Sequence, residues 1–573
     1  NPQRVDKTSE MYYNKSAKKS TATSQERGFI MTRIKKLAAA FAVGLALTGF
    51  AGCNSSGGSE SSQKLVPEES QTQTQGAPAI DVPSPAESAA DVNCMPIVNI
   101  QTKDSGSDAM DFVTKPVKRL VSEKIATWTP NYVMPPEPYY TDCSVSLTDV
   151  DDKLLIDAAD AKVKVRGNWT TSYNKKPLRI KFEKKQSMAG LNDGGEYKNW
   201  LLLSEYKDFS MLRNRTAFQL AGEILGEDGY YAADSRLVEV YINGEYWGVY
   251  LLTEQQEIND GRVEITEAEK DYAGTDIGYF LEYDGYYYDE EPLQSFKVNY
   301  KNDAELVPYD GNGGSGRKAS PSANGMNDVG ITIKSDIYSQ EQHDFIANYV
   351  NNVYDIMYEA AYNDKAFVMS DDFKTISETT ALTPREAVEK VVDMRSLVDS
   401  YIIAELTCDA DIYWSSFCMS ADFGAGGSKK LRFEAPWDFD SALGNKDRCS
   451  DGNGFFAANI MFDVNGEFEV MCNPWLMVLM NQDWYQELVK ERWTEIYNSG
   501  AFDRAYETIA SETERFESAF TRNYDRWDNI RNNGARNELS TAAGACSTQK
   551  QAADYLTSWL KSRVNFLDSQ WHK

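Results

Sequence analysis

Histidine is nearly missing from this 573-residue chain: only His343 and His572 occur. Ser-His-Asp triads, Cys-His dyads and multi-histidine zinc sites each need a well-placed imidazole. His343 lies in the polar stretch beginning Ser339-Gln340-Glu341-Gln342, which reads as an exposed helix start, and His572 is next to last. Chemistry therefore falls to carboxylates, lysines and hard metal ions. Basic charge is also short: 59 Lys and Arg stand against 87 Asp and Glu, a formal charge of -28. Such a chain makes poor contact as a whole with nucleic acid or an anionic membrane surface. Any phosphate it holds needs a local cluster of cations or a metal. Cysteine offers no zinc spacing either. After Cys53 seven remain, an odd number without a CxxC pair, and no disulfide pairing follows from them. The apolar run Leu37 through Phe50 is shorter than the roughly 20 residues of a transmembrane helix.

That run is instead the core of an export signal. Met31-Thr32-Arg33-Ile34-Lys35-Lys36 supplies a basic start, and Phe50-Ala51-Gly52-Cys53 places small residues before a cysteine. The pattern resembles a bacterial lipoprotein signal, with Phe50 where leucine is usual. The resemblance implies that Cys53 becomes the lipidated first residue of the mature protein, anchored to the outer face of the cell membrane. Residues 1–30 read as translation from an upstream start, 31–53 as the signal peptide, and 54–92 as a Ser/Gly/Gln/Pro-rich disordered tether.

Beyond residue 92 the chain has a core to bury, with 42% hydrophobic residues overall. Residues 93–160 form a β-rich N-terminal part, with strands expected at Pro96–Ile100 and Cys143–Leu147. From 161 to 340 the β pattern continues: Ala161–Val165, Leu178–Phe182, Gly278–Tyr283, Phe296–Tyr300 and Gly330–Lys334. The stretch Leu237–Ile242, Asn243-Gly244, Tyr246–Leu252 predicts a hairpin, since Asn-Gly is the preferred type I′ pair. Residues 310–328 are a polar loop. Ser210–Leu225 has the apolar spacing of a helix, with Ser210 as a candidate N-cap. Residues 341–573 read as a helical lobe, with helices over 341–362, 385–406, 474–497, 503–530 and 548–570, interrupted only by strands at Phe417–Met419 and Leu431–Phe433. The expected class is α+β, with a β-rich first half and a helical second half in two lobes.

Four stretches can carry chemistry. Trp437-Asp438-Phe439-Asp440 ends a short apolar strand with carboxylates at i and i+2. In extended backbone these point to one side and repel unless a cation lies between them. A solvated acidic turn is the plainer alternative, and the aromatic flanks favour a buried approach and a divalent ion. Arg166-Gly167-Asn168 through Lys181 puts a glycine, hydroxyls and Lys175, Lys176, Arg179 and Lys181 around a turn between strands. Amides and cations there suit an oligophosphate, while a polar hairpin followed by an amphipathic strand with Arg179 and Lys181 facing water is the plainer reading of this stretch alone. Arg213 and Arg215 in the first helical turn oppose the dipole, which calls for a balancing carboxylate or phosphate. Finally, Asp411 precedes Ser416 by five residues and Asp438 by 27. An aspartate, a polar ligand and a strand-borne metal aspartate in that order match phosphoryl transfer in kinase-like folds.

Together, Arg166-Gly167-Asn168, Lys175 through Lys181, Leu212-Arg213-Asn214-Arg215, Glu239 through Glu254, Glu405 through Ser416 and Pro436 through Gly444 resemble the CotH kinase family of spore-coat-protein-H-like atypical protein kinases. The resemblance runs from about Pro96 to the C-terminal helix. It implies a two-lobed atypical protein-kinase-like fold whose nucleotide-binding β-rich lobe is 161–340 and whose helical catalytic lobe is 341–573. It also implies transfer of the ATP γ-phosphate, with Mg²⁺ or Mn²⁺, to a Ser or Thr of a protein substrate. Asp411 would be the catalytic aspartate; Asp438, Asp440 and Ser416 would hold metal. Arg166, Lys176, Arg179 and Lys181 would lie on the phosphate side, with Glu254 at the adenine end of the hairpin, and Glu282 and Lys334 are further candidates. Ser416 replaces the asparagine of ordinary protein kinases, and Gly167 stands alone where those enzymes carry Gly-x-Gly-x-x-Gly. An anchored kinase and a non-catalytic envelope, spore-coat-like or adhesion protein with the same fold are the two competing functions. Paired-acid glycoside hydrolysis is disfavoured, because Asp438 and Asp440 are too close in sequence to flank a sugar bond.

Overall fold

The computed structural model describes residues 95–119, 122–311, 318–321, 329–461 and 471–573. Of these, the residues in 95–119 and 135–573 belong to one compact unit, and the described part of the other contains one short helix, Ser122–Trp128.

Period-two burial builds the first half. In Ile97–Thr102 (β1) Val98, Ile100 and Thr102 are buried, and in Thr141–Thr148 (β2) Cys143, Val145 and Leu147. With Leu154–Val165 (β3), Leu178–Gln186 (β4), Tyr197–Leu203 (β5), Ser235–Ile242 (β6) and Glu245–Glu254 (β7) these strands close a barrel in the order β1-β2-β3-β4-β5-β7-β6. Closure removes the free edges of the sheet. The closing pair is parallel, with Val98 opposite Val240, and the other neighbours are antiparallel. Val163, Ile180, Trp200, Leu202 and Val240 fill the interior, so the intervening Lys164, Arg179 and Lys181 face out. The β6–β7 turn has Asn243 and Gly244 at φ 53° and 79°, the left-handed pair that a type I′ turn requires. Residue 160 falls inside β3, and the barrel draws strands from both sides of it.

A second sheet carries Gly278–Asp284 (β8), Ser295–Phe296 (β9), Gly330–Ile333 (β10), Phe417–Asp422 (β13) and Arg432–Phe433 (β14), in the order β14-β13-β8-β10-β9. Between its halves lies a hairpin absent from the sequence reading, Ala366–Met369 (β11) with Ile376–Thr379 (β12). Its four-residue strands are too short to show a period.

The longer helices, of eight residues or more, are Arg213–Leu225 (α1), Gln340–Asn363 (α2), Pro384–Val391 (α3), Met394–Thr407 (α4), Asp483–Asn498 (α5), Ala501–Arg515 (α6), Glu517–Trp527 (α7) and Gln549–Trp571 (α8). The helix α1 packs on β6, α4 and α6, and α8 packs on α4, α5 and α6. Several expected spans are corrected. The helix over 385–406 is two, because Val392 turns extended to bridge Leu431 and Asp393 caps α4 through the Ser396 amide. The span 503–530 breaks at Phe516, and 474–497 divides into Pro474–Met477 and α5. The strand at Phe296–Tyr300 ends at Phe296, since Tyr300, Lys301, Asn302 and Asp303 all take positive φ.

Ser210 is not the N-cap of α1. Its hydroxyl donates to Asp208, whose carboxylate accepts the Leu212 and Arg213 amides at 3.0 and 2.8 Å. Carboxylates balance the two arginines: Arg213 pairs with Asp208, and Arg215 with Glu512 at 3.2 Å. The six described cysteines are free and buried. No helix of the described residues is long and apolar enough to cross a membrane. Cys53, with its signal and tether, lies outside the described residues.

Candidate active site

The acidic centre is made by two loops stitched together through their backbones. The helix α4 stops where Cys408 turns left-handed at φ 47°, and a single 3₁₀ turn, Asp411–Tyr413, follows. The Thr407 carbonyl accepts the Leu443 amide at 2.7 Å, and the Ser441 carbonyl accepts the Ala410 amide at 3.4 Å. Arg563 from α8 holds the end of α4 by donating to the Glu405 carbonyl at 3.0 and 2.8 Å and pairing with its carboxylate, deep in the core.

The second loop differs from the extended arrangement expected from sequence. The strand ends at Phe433, Asp438 is left-handed (φ 67°, ψ 53°), and Phe439–Ser441 is a 3₁₀ turn. This turn, not strand alternation, directs Asp438 and Asp440 to one place. Three contacts fix it. Asn214 of α1 accepts the Phe439 amide at 2.8 Å while donating to Glu205 at 3.1 Å. Asn445 donates to the Asp440 carbonyl at 2.8 Å. Trp437 and Phe439 pack on Phe218, with ring centroids 5.1 and 5.9 Å away.

One carboxylate oxygen each from Asp411, Asp438 and Asp440 lies within 4.8 Å of the other two. Burial raises the proton affinity of all three; neighbouring triad carboxylates add to it at Asp411 and Asp438, and Glu538 does so at Asp440. The Asp411 carboxyl is pushed up to about 6, first by burial and then by Asp440, and Asp438 goes well above its ordinary range for the same reasons. A fourth acid, Asp409, accepts the Asp411 amide at 3.0 Å and is driven up by burial and by Asp411. Hard oxygen donors without histidine or cysteine suit Mg²⁺ or Mn²⁺. A cation there would relieve the repulsion that raises these carboxyls, so the donor set fits such an ion. Ser416 (φ 63°) donates its amide to Glu282 at 3.0 Å, and with Asp409 and Phe439 it lines a cavity of about 20 Å³ beside the cluster.

The basic candidates separate into two kinds. Arg166 stands at the start of the glycine turn, its guanidinium 5.8 Å from the centre of the Trp437 ring and acted on by Asp438 and Glu282. It makes no side-chain hydrogen bond among the described residues. From it a cationic row runs across the outer face of the barrel: Lys164 pairs in register with Arg179, and Lys181 follows two residues on. Arg179, Arg166 and Lys181 all act on Lys164, whose ammonium is lowered by burial first and by these neighbours next. Lys176 instead turns inward, donating to the Thr171 and Tyr173 carbonyls at 2.9 and 2.8 Å, and burial pushes it down to about 8. Lys175, also buried, donates to the Val249 carbonyl and to Asn523. Both hold the turn in shape.

Glu254 is likewise engaged. Its carboxylate, 1% exposed, pairs with Arg262 at 3.1 Å and accepts from Asn192 at 2.6 Å and the Asp234 amide at 2.9 Å. This leaves its side chain bound into the barrel wall. Glu282 and Lys334 meet across β8 and the end of β10 as an ion pair at 2.7 Å, and Glu282 also takes the Ser416 amide.

One residue with no sequence signal ties both sides together. Glu538 accepts from Tyr173 at 2.9 Å and Trp169 at 3.4 Å in the glycine turn. It also pairs with Lys446 at 3.1 Å and Lys207 at 3.3 Å. Lys446 in turn acts on Asp440 and Asp411. Of the residues missed from sequence, Asp409 could have been found as the acid two places before Asp411, whereas Glu538 lies 127 places beyond it.

A protein-family model described as CotH kinase protein matches residues 163–567. No curated protein matches the chain. The matched region spans the β3–β4 turn, both acidic loops and most of α8. The chain belongs to the CotH kinase family.

Proposed function

We propose that this CotH family protein is an ATP-dependent kinase that phosphorylates serine or threonine hydroxyls on a protein. The observation that carries the reading is the convergence of Asp411, Asp438 and Asp440 beside Arg166, at the end of an outward-facing cationic row. Phosphoryl transfer needs alignment and charge neutralisation more than covalent participation. A two-lobed kinase-like arrangement, with the barrel side holding phosphates and the helical side holding acids, agrees with this division of labour.

In the reaction the substrate hydroxyl oxygen bonds to the γ-phosphorus as the bond to the β,γ-bridging oxygen breaks. ADP leaves with that bond's electron pair. Asp411 takes the hydroxyl proton, and a carboxyl poised near 6 is an effective acceptor at neutral pH. Asp438 and Asp440 would hold Mg²⁺ or Mn²⁺, with Ser416 at their edge, and a bound ion supplies neutralisation of phosphate charge. Arg166 meets the phosphates from the barrel side, with Arg179 and Lys181 behind it. Lys176 shapes the turn from within.

The leader supports placing this activity outside the cell, on a lipoprotein anchored through Cys53. That location also favours the second reading, a non-catalytic envelope protein, because ATP is scarce there. A thermal-shift titration separates the two. Stabilisation that requires ATP and Mg²⁺ or Mn²⁺ together and disappears in Asp438→Ala supports the kinase. No shift at millimolar nucleotide supports the scaffold. Label transfer from γ-labelled ATP to serine or threonine then tests turnover, and loss of lipid labelling in Cys53→Ser tests the anchor.

A further inference from the structure

A second cavity, of about 420 Å³, opens between β6, the first turn of α1 and the last turns of α6. It is within the size range of small-molecule sites. Three arginines from three elements line it, Arg215, Arg236 and Arg515, against two acids, Asp234 and Glu512. In a chain where acids outnumber bases 87 to 59, this local excess of guanidinium runs against the background.

The acids do not close the cavity to an anion. Asp234 is turned to backbone amides, accepting those of Ser235 and Asn192 at 2.7 and 3.2 Å. Glu512 takes only the Nε of Arg215, at 3.2 Å, and its other oxygen is buried without a donor. Among the described residues neither Nη group of Arg215 makes a hydrogen bond. Arg236 braces one rim, donating to the Ala189 carbonyl at 2.9 Å and pairing with Asp149 at 3.2 Å. Arg215, Arg515 and Arg236 all act on the Glu512 carboxyl, so their charges converge on one point. A planar carboxylate is satisfied by one guanidinium fork. Guanidiniums on separate walls match a tetrahedral oxyanion, whose oxygens diverge.

We propose that this cavity is a phosphoryl-binding site, separate from the acidic centre, in which Arg215 makes the end-on contact while Arg236 and Arg515 flank the anion and Glu512 acts as its internal competitor. The occupant is either free phosphate or a phosphoryl group carried on a serine or threonine side chain.

The test uses the full chain in EDTA, so that the acidic centre holds no metal. Inorganic phosphate, a phosphoserine peptide and its unphosphorylated twin are titrated separately by calorimetry. Phosphate binding alone assigns free phosphate; tighter binding of the phosphopeptide assigns a protein-borne group. Arg515→Gln is expected to weaken binding about tenfold, the scale of a lost charge-assisted contact. Glu512→Gln is expected to tighten it several-fold by removing the competing anion. This opposite sign keeps the test clear of general loss of folding, which circular dichroism of each variant checks. Asp438→Ala is expected to leave binding unchanged, which separates this site from the nucleotide reading. The proposal is overturned if phosphate and phosphopeptide give no heat at tens of millimolar, if the unphosphorylated peptide binds equally well, or if Glu512→Gln weakens binding.

Discussion

Asp411→Asn is expected to stabilise the metal-free protein at neutral pH while removing its turnover. An unfolded aspartate ionises at 3.8, and the folded Asp411 at about 6. At about 1.4 kcal/mol for each factor of ten in proton affinity, keeping it ionised costs the fold about 3 kcal/mol. Water reaching this half-buried group lowers that figure, and so does losing the attraction of Lys446 and Arg448. We expect a net gain of about 1–2 kcal/mol. For a chain this long that is roughly 1–4 °C in melting temperature. The sign also fixes the pH window. A carboxyl raised in the folded state destabilises once ionised, so wild-type stability falls as pH climbs from about 4 to about 6 and levels off above. The variant's advantage is therefore full at pH 7.5 and gone near pH 4. Melting temperatures of both proteins in EDTA, across pH 4–8, measure it. The reasoning fails if the variant is less stable at pH 7.5, or if the difference does not change with pH. With Mg²⁺ and ATP present the order reverses, because the ion neutralises the same repulsion in the wild type.

Three further outcomes follow from neighbouring contacts. Glu538→Gln weakens the link between the glycine turn and Lys446. Its carboxyl is held down to about 2 by Lys446 and Lys207 against burial, so its stabilisation is present above about pH 4.5 and lost as pH falls through 2. With 32% exposure discounting it, the substitution costs about 1–2 kcal/mol at pH 7, measured by chemical denaturation, and raises KM for ATP more than it lowers Mn²⁺ affinity. Asn214→Leu strips the acceptor from the Phe439 amide and leaves Glu205 short of a donor, so it costs about 2–4 kcal/mol; calorimetry shows Mn²⁺ affinity falling with it. Finally, Mn²⁺ binding to the wild type weakens as pH drops below about 6, because the ion competes with protons on Asp411, Asp438 and Asp440. Calorimetry in buffers of differing ionisation heat detects the protons released, and pH-independent binding refutes the assignment of these ligands.

Local rules were readable wherever backbone and side chain answer to near neighbours. Asn243-Gly244 forms its hairpin, and the alternation of β1 and β2 gives the barrel wall. The pairing of Asp411 with Asp438 and Asp440 was legible as an order of residue types, although the geometry joining the last two was not. An extended strand and a left-handed turn both bring side chains at i and i+2 together, and the turn is fixed by contacts from Asn214, Asn445 and Phe218 that leave no local trace. The helix over 385–406 breaks because Val392 finds Leu431 across the fold, a contact without local trace. The inward course of Lys176 and the engagement of Glu254 with Arg262 are likewise tertiary outcomes. Four lysines and arginines around one turn look alike in sequence, and burial alone sorts braces from open cations.

Glu538 closes the glycine turn from some 365 residues downstream, and Asn523 and Trp527 grip the same side through Lys175 and Trp247. Synthesis delivers the barrel strands long before those three residues exist. A growing chain can thus complete its barrel strands while the glycine turn still lacks these clamps, which come only with the last helices.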